Sequence, residues 1–219
     1  MQNIVVLISG QGRNLQALIE AQQAGRVAGR IAAVISNKAD AAGLERARDA
    51  GILTEVVPHT AYTERSVFDA ALAAVIDRHH PGIIVMAGFM RVVGDELIRR
   101  YSGRMLNIHP SLLPKYPGLR THQSALAAGD AQHGATVHFV TAELDGGPRI
   151  IQGAVSVQAQ DTAQTLATRV LRDIELKIYP QALAWMARGD LKLVENHVRF
   201  RGARLALPLT MDDLEMEFR

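Results

Sequence analysis

The chain of 219 residues contains no cysteine, which excludes disulfide bonds, thiolate nucleophiles and cysteine metal ligands. Aromatic residues make up only 5% of it and the formal net charge is only +2, so no nucleic-acid surface is indicated. No apolar run approaches the roughly 18 residues of a membrane-spanning helix, and no basic leader precedes the first apolar run. We therefore expect a cytoplasmic protein with no nucleic-acid or membrane partner, whose slight basic balance suits anionic small molecules.

The rest of the composition is ordinary for a globular protein, with 48% hydrophobic and 21% charged residues. No tract rich in glycine, proline or serine marks a domain boundary. We expect a single domain over residues 1–219, as a monomer or a homodimer. Residues 1–100 would form a substrate-binding half and residues 101–195 a catalytic half, followed by a tail over residues 196–219.

Apolar runs typical of buried strands alternate with helical periodicity through the first half of the chain. This order predicts an α/β fold with a doubly wound, mostly parallel sheet. Further on, an alternating segment and a second apolar run flank a turn at Asp145, which predicts an antiparallel C-terminal portion. The predicted strands cover residues 4–8, 31–36, 52–57, 83–87, 105–109, 135–141 and 150–157.

Four local features carry more detailed predictions. A helix over residues 63–79 is expected to bury the face that carries Val67, Ala71, Ala74 and Val75. Residues 161–164 resemble a capping box that opens a long helix, which Pro180 should kink or restart. The acidic segment over residues 212–218 is expected to be loosely held.

The stretch over residues 105–115 is the candidate chemical centre. Asn107 and His109 alternate with Leu106 and Ile108, so on a strand both polar side chains project from one face. Pro110 then ends the strand, and the two groups can point into a crevice at the sheet edge. The alternative is purely structural, with Asn107 as a turn residue and His109 as a satisfied histidine at a strand end.

The glycine loop over residues 10–14 lies where a phosphate cradle belongs, between a buried strand and a helix. It fails as a dinucleotide fingerprint because Leu15 replaces the third glycine and Ser36-Asn37 replaces the ribose-binding acid. A simple strand-to-helix turn is the alternative interpretation.

Asp145 lies in a glycine-rich turn, where an aspartate needs no functional explanation. Together with Asn107 and His109, however, it completes an amide donor, an imidazole and a partner carboxylate for a tetrahedral acyl-transfer intermediate. No His-x-x-x-His pattern falls on a convincing helix face, so no metal is expected. His122 and His138 could line the crevice or take core or surface roles, and His79 and His80 at a helix end are expected to be solvated.

Six motifs resemble the phosphoribosylglycinamide formyltransferases of the folate-dependent formyltransferase superfamily. The resemblance runs in order over roughly residues 2–195, and the amino-terminal glycine loop is what indicates this family within the superfamily. The motifs are Ser-Gly-Gln-Gly-Arg-Asn-Leu (9–15), Ser-Asn-Lys-Ala (36–39), Ala-Gly-Phe-Met-Arg (87–91), Asn-Ile-His-Pro-Ser-Leu-Leu-Pro (107–114), Lys-Tyr-Pro-Gly (115–118) and Glu-Leu-Asp-Gly-Gly (143–147).

The resemblance implies a Rossmann-like formyltransferase fold that moves the formyl group of 10-formyltetrahydrofolate to the amine of 5-phosphoribosylglycinamide. His109 would be the general acid, Asn107 the oxyanion donor and Asp145 the partner of His109. Substrate phosphate and ribose would be held by Gly12, Arg13, Asn14 and Glu175. The folate would contact Arg65, Met90, Arg91, Val92, Val93, Asn107, Ala142, Glu143, Leu144 and Asp145.

The chain departs from the family pattern in two places. Arg13 replaces a common serine, and around Glu175 the spacing is one residue longer and Leu176 replaces an expected histidine. Three other functions remain as alternatives. Methionyl-tRNA formyltransferases are longer chains that carry a carboxy-terminal nucleic-acid-binding domain. Formyltetrahydrofolate hydrolases use water as the acceptor and usually carry a regulatory domain ahead of this one. A non-catalytic nucleotide-binding module would give Asn107, His109 and Asp145 structural roles only.

Overall fold

The structure, a computed structural model, describes residues 2–219. Within that range no helix is both long and apolar enough to cross a membrane. The strands are β1 Gln2–Ile8, β2 Gly29–Ser36, β3 Leu53–Val56, β4 Ile83–Met86, β5 Met105–His109, β6 Gln132–Phe139, β7 Arg149–Ser156, β8 Leu191–Val194, β9 His197–Phe200 and β10 Ala203–Arg204. The α-helices are α1 Arg13–Gln23, α2 Gly43–Asp49, α3 Arg65–Asp77, α4 Asp95–Arg100, α5 Thr121–Ala127, α6 Ala163–Val170 and α7 Leu176–Arg188.

Seven strands form the central sheet in the order β3-β2-β1-β4-β5-β6-β7, and β8, β9 and β10 form a small antiparallel sheet. The pairs from β3 through to β5 are parallel, whereas β6 runs antiparallel to both β5 and β7. The predicted fold class is thereby confirmed. The chain reverses its direction of travel across the sheet between β1 and β4, and a crevice at the carboxyl ends of strands forms at such a switch point.

Helices cover both faces of this sheet, as the continuous apolar runs of its strands require. On β1, Val5 and Leu7 pack into the core beneath α3 and α4, while Ile4, Val6 and Ile8 pack into the core beneath α1 and α7. Both sets are fully buried. The sheet is therefore a rigid layer between two apolar cores, and it holds the strand ends in fixed positions.

The predicted buried face of α3 is wrong by one residue. Phe68, Leu72 and Ile76 face the core, and Val67 is 54% exposed. Ala71 and Val75 are only partly buried at the edge of the core. Because alanine is small and tolerates either side of a helix, the larger Phe68 and Leu72 decide which stripe is buried.

The predicted start and break of the C-terminal helix are also displaced. Thr162 is the N-cap, sharing a capping box with Thr165, because the Asp161 carboxylate binds Arg169 instead. The helix is interrupted over Leu171–Glu175 by a wider π-helical turn, and α7 begins at Leu176. Pro180 therefore lies near the start of a new helical segment that runs through it without a break.

The acidic end of the chain is not loosely held, contrary to the prediction. Phe218 is 5% exposed, and the Arg26 guanidinium lies 5.3 Å from its ring centre. The Glu215 carboxylate accepts hydrogen bonds from Trp185 Nε1 and from Arg188, both on α7. An aromatic anchor and a multiply bonded carboxylate thus fix the tail against α7 and the end of α1.

Candidate active site

Asn107 and His109 meet the Asp145 carboxylate at the end of β5, as the resemblance implies. Asp145 Oδ2 lies 3.3 Å from His109 Nδ1, and Asp145 Oδ1 accepts from Asn107 Nδ2 at 3.5 Å. Both polar side chains of the strand therefore reach one carboxylate, which the alternation of polar and apolar residues predicts. His109 is buried, so the contact is shielded from water.

The His109 ring is also fixed from its other side. Its Nε2 lies 2.8 Å from the carbonyl oxygen of Tyr116. Because a carbonyl oxygen can only accept, Nε2 carries a proton and donates it. Nδ1, which faces Asp145, is therefore the ring atom that remains free to gain or lose a proton.

Asp145 is held on a strained turn between β6 and β7. Its φ is +51°, in the left-handed region that aspartate tolerates better than most residues. The Gly118 amide donates to Asp145 Oδ2 at 2.9 Å, so that one oxygen faces both His109 and a backbone donor. The carboxylate thus has little freedom to turn away from His109.

His138, which sequence reasoning left open, belongs to the site. It pairs directly across from Asn107 in the β5–β6 ladder, and its Nε2 accepts from Asn107 Nδ2 at 3.2 Å. Its Nδ1 donates to the carbonyl of Phe139 at 2.9 Å, which assigns the neutral tautomer. Burial lowers the pKa of His138, in agreement with a neutral ring that orients the Asn107 amide. The signal in the sequence was the shared strand face of Thr136, His138 and Val140.

A cleft opens beside Asn107 and Asp145 between the loop after β4 and the loop after β6. Most of the predicted folate contacts line it: Arg91, Val92, Val93, Asn107, Ala142, Glu143, Leu144 and Asp145. Met90 and Arg65 do not line it: Met90 is 68% exposed, and Arg65 lies beside Asp69 and Gly94. Sequence reasoning missed Met86, Ile98, Val140 and Thr141, which add mostly apolar surface to the lining.

The cleft wall over residues 90–94 is pinned at both ends by side chains. The Met90 amide donates to Ser9 Oγ at 2.7 Å, and the Gly94 amide donates to Asp69 Oδ2 at 2.7 Å. Burial raises the pKa of the Asp69 carboxyl, while the Gly94 amide and two nearby arginines oppose that rise. The wall is therefore positioned by groups that lie behind it.

The glycine loop lies at the carboxyl end of β1, with Gly12 as the N-cap of α1. Gly12 has a φ of +70°, and a Cβ there would lie 2.6 Å from the Cα of Gly43. Only glycine fits this close approach without displacing the backbone. Gly43 N in turn donates to the carbonyl of Gly10 at 2.9 Å, which fixes the loop against α2.

Asn14 and Glu175, predicted as substrate contacts, meet although they are 161 residues apart. Asn14 Nδ2 donates to Glu175 Oε2 at 2.7 Å, joining the first turn of α1 to the π-helical turn. Burial raises the pKa of the Glu175 carboxyl, and the hydrogen bond from Asn14 partly offsets the rise. Asn14 Oδ1 is buried with no hydrogen-bond partner within residues 2–219.

Arg13 lies apart from this pair, on an exposed surface groove at the start of α1. Lys177 and Arg26 also line that groove, together with Glu20. The structure therefore places Arg13 beside the glycine loop with its charge facing solvent.

Two further histidines, His122 on α5 and His133 on β6, lie next to each other. His122 Nδ1 and His133 Nε2 are 3.0 Å apart, so at least one of the two rings is neutral. Burial and the neighbouring His133 lower the pKa of His122 to about 4. Across residues 2–219, no group of three or more histidine, aspartate and glutamate side chains is arranged to hold a metal ion.

The fold and this site define a family. The profile of the formyl transferase family matches residues 2–183, most of the chain, so the chain belongs to the formyl transferases. The resemblance inferred from the motifs is confirmed at this level.

Two relatives that share one name narrow the family to which the chain is assigned. The chain is 52% identical to phosphoribosylglycinamide formyltransferase of Escherichia coli over 203 residues, which are 93% of this chain and 95% of the relative. A solved structure of phosphoribosylglycinamide formyltransferase from Coxiella burnetii is similar with a TM-score of 0.90 at 51% identity, covering 95% of this chain and 98% of that one. The chain is therefore a member of the phosphoribosylglycinamide formyltransferases.

The same fold also occurs in an enzyme that is named for a different reaction. A formyltetrahydrofolate deformylase from Pseudomonas syringae is similar with a TM-score of 0.83 at 26% identity, covering 91% of this chain and 65% of that one. Because the architecture is shared, the fold does not identify the acceptor of the formyl group, which depends on the residues of the site.

Proposed function

We propose that this chain transfers the formyl group of 10-formyltetrahydrofolate to the amine of 5-phosphoribosylglycinamide, a step of purine biosynthesis. The observation that carries the proposal is the meeting of Asn107, His109 and Asp145 at one end of a largely apolar cleft. An amide donor, an imidazole and a carboxylate are the groups that acyl transfer through a tetrahedral intermediate requires.

Each of the three groups has one task in the proposed reaction. As the acceptor amine bonds to the formyl carbon, the carbonyl electron pair moves to oxygen. Asn107 Nδ2 donates to that oxyanion the hydrogen that it shares weakly with Asp145 Oδ1 at 3.5 Å, and it keeps its bond to His138. Asp145 takes the proton that the amine loses. His109 gives the proton on Nδ1 to the leaving nitrogen as its bond to the formyl carbon breaks. Asp145 then passes the proton that it took from the amine to His109 Nδ1 across their 3.3 Å contact, so the cycle closes without another base.

The cleft suits the donor, whose flat heterocycle has apolar faces and a polar edge. Met86, Val93 and Ile98 supply apolar surface, and the wall over residues 90–94 is held in place by Ser9 and Asp69. We assign Met90 and Arg65, which lie outside the lining, to the solvent-facing end of the donor.

The acceptor is assigned to the glycine loop and the Asn14–Glu175 pair. The loop at Gly12 presents backbone amides at the positive end of α1, which favours a phosphate. The exposed Arg13 guanidinium adds a positive charge beside it. The Glu175 carboxylate and the unpaired Asn14 Oδ1 accept hydrogen bonds from the ribose and glycinamide groups.

A formyl-transfer assay tests the proposal. Folate release from 10-formyltetrahydrofolate is followed by absorbance, with and without 5-phosphoribosylglycinamide, for the wild type and for His109→Asn. Release that requires the acceptor, and that falls about 10²–10⁴-fold in the variant, is expected for loss of a general acid. His80→Asn is the matched control, because His80 is exposed and has a φ of +46°, which asparagine tolerates.

Other results identify the alternatives. Equal release with and without the acceptor indicates a formyltetrahydrofolate hydrolase. No release, together with ligand binding that His109→Asn leaves unchanged, indicates a non-catalytic binding module.

A further inference from the structure

One short loop touches both proton-transfer groups with its backbone. The carbonyl of Tyr116 accepts from His109 Nε2 at 2.8 Å, and the amide of Gly118 donates to Asp145 Oδ2 at 2.9 Å. The orientations of the imidazole and of the carboxylate therefore depend on the main chain of the same three residues, 116–118. Neither contact uses a side chain of the loop.

This loop needs support from outside, because its backbone is strained. Tyr116 has a φ of +57°, in the left-handed region where a bulky residue is strained. A conformation of this kind persists only where the surrounding contacts over-determine it. On one side the Ser111 hydroxyl donates to the Lys115 carbonyl at 2.6 Å, and the remaining support comes from contacts that the side chains of the loop make with neighbouring elements.

Asp130 provides that support from the turn between α5 and β6. Its Oδ2 accepts from the Tyr116 hydroxyl at 2.8 Å, and its Oδ1 accepts from Lys115 Nζ at 2.7 Å. These two hydrogen bonds lower the pKa of the Asp130 carboxyl, which favours the ionised, doubly accepting form. The turn is itself tied to α5, because the Asp130 amide donates to the carbonyl of Ala125 at 3.1 Å.

We propose that Asp130 is a positioning residue of this enzyme, which acts through Tyr116 to hold His109 and Asp145 in register. Asp130 does not line the cleft, so it acts on the reaction only through the loop. The proposal rests on the catalytic roles given above to His109 and Asp145. Its structural part, that Asp130 sets the state of the His109 ring, can be tested without any activity.

Two variants separate the contacts. Tyr116→Phe removes one hydroxyl and leaves the loop sequence otherwise intact, and Asp130→Ala removes both accepting oxygens. We expect kcat to fall about 10- to 100-fold, the scale of an ångström-sized misplacement, with KM for both substrates within about twofold. Asp49→Asn, an exposed carboxylate at the end of α2, is the control and should match the wild type.

The second measurement is ¹⁵N NMR of the His109 ring, assigned with His109→Asn. In the wild type Nε2 should be protonated and slow to exchange, and in both variants we expect the signals to shift toward a mixture of tautomers. Ring signals unchanged in Tyr116→Phe, a variant that removes a single oxygen atom, would overturn the proposal whatever the rates are. Altered ring signals with an unaltered kcat would instead support the anchoring by Asp130 and remove His109 from the proposed mechanism.

Discussion

Replacing Glu175 by glutamine should make the protein more stable at neutral pH while it impairs the proposed substrate site. The carboxyl is buried and meets one donor, Asn14 Nδ2 at 2.7 Å. Desolvating a carboxylate costs several kcal/mol even after relaxation, and one charge-assisted hydrogen bond returns about 1.5–3 kcal/mol. Glutamine keeps an acceptor oxygen for Asn14 and has no charge to desolvate, so we expect a gain of about 1–2 kcal/mol.

The pH dependence follows from the direction of the shift. Because burial raises the pKa of Glu175 in the folded state, the folded protein binds a proton more readily than the unfolded chain, whose value is near 4.5. Below that value the carboxyl is neutral in both states, and the advantage of glutamine vanishes. The advantage grows as the pH rises through the folded-state pKa and is constant above it.

Thermal unfolding of the wild type and Glu175→Gln from about pH 4 to about pH 8 tests this reasoning. A gain of 1–2 kcal/mol corresponds to a Tm increase of about 2–8 °C for a chain of this size. Glu20→Gln, at an exposed position on α1, is the control and should show no such trend. A difference in Tm that does not change with pH, or a variant less stable than the wild type at pH 8, would refute the account.

Three further predictions concern stability and the cleft wall. Phe218→Ala should lower the unfolding free energy by about 3 kcal/mol, measured by urea denaturation, whereas a loosely held tail would give no change. Because the pKa of His122 is lowered to about 4, the stability of the wild type should fall as the pH drops from about 6.5 to about 4. His122→Gln should lose less stability over that range, and parallel stability profiles for the two proteins would contradict this. Asp69→Asn should weaken the hydrogen bond to the Gly94 amide, and it should raise KM for the folate donor about tenfold with a smaller effect on kcat. Steady-state assays check this, and an unchanged KM would count against the role of Asp69 in holding the cleft wall.

The sheet and the centre of the site could be predicted because they depend on local patterns. Continuous apolar runs specify strands covered on both faces, and alternation on β5 placed Asn107 and His109 together. The wrong face of α3 has a different origin. Two alanines and two valines formed a plausible stripe there, and only the packing of the larger Phe68 against the sheet decides between neighbouring stripes.

What could not be predicted depends on contacts between distant segments. The Tyr116 carbonyl reaches His109 only because of a left-handed backbone that no residue type demands, and His138 joins the site through strand register. The tail likewise has an acidic, flexible-looking composition, but Glu215 finds partners on α7 that the linear sequence does not reveal. Such features follow from tertiary packing rather than from propensity.

The Asn14–Glu175 contact has a consequence for how the protein is made. It joins the first helix to a turn 161 residues later, so closing it costs the entropy of a long loop and has to await the docking of α7. A nascent chain that has emerged only through β7 already holds Asn107, His109 and Asp145, yet it lacks the acid that completes the acceptor site. On the proposed assignment of the acceptor site, recognition of the acceptor is thus acquired late in synthesis, after the residues proposed for proton transfer have been made.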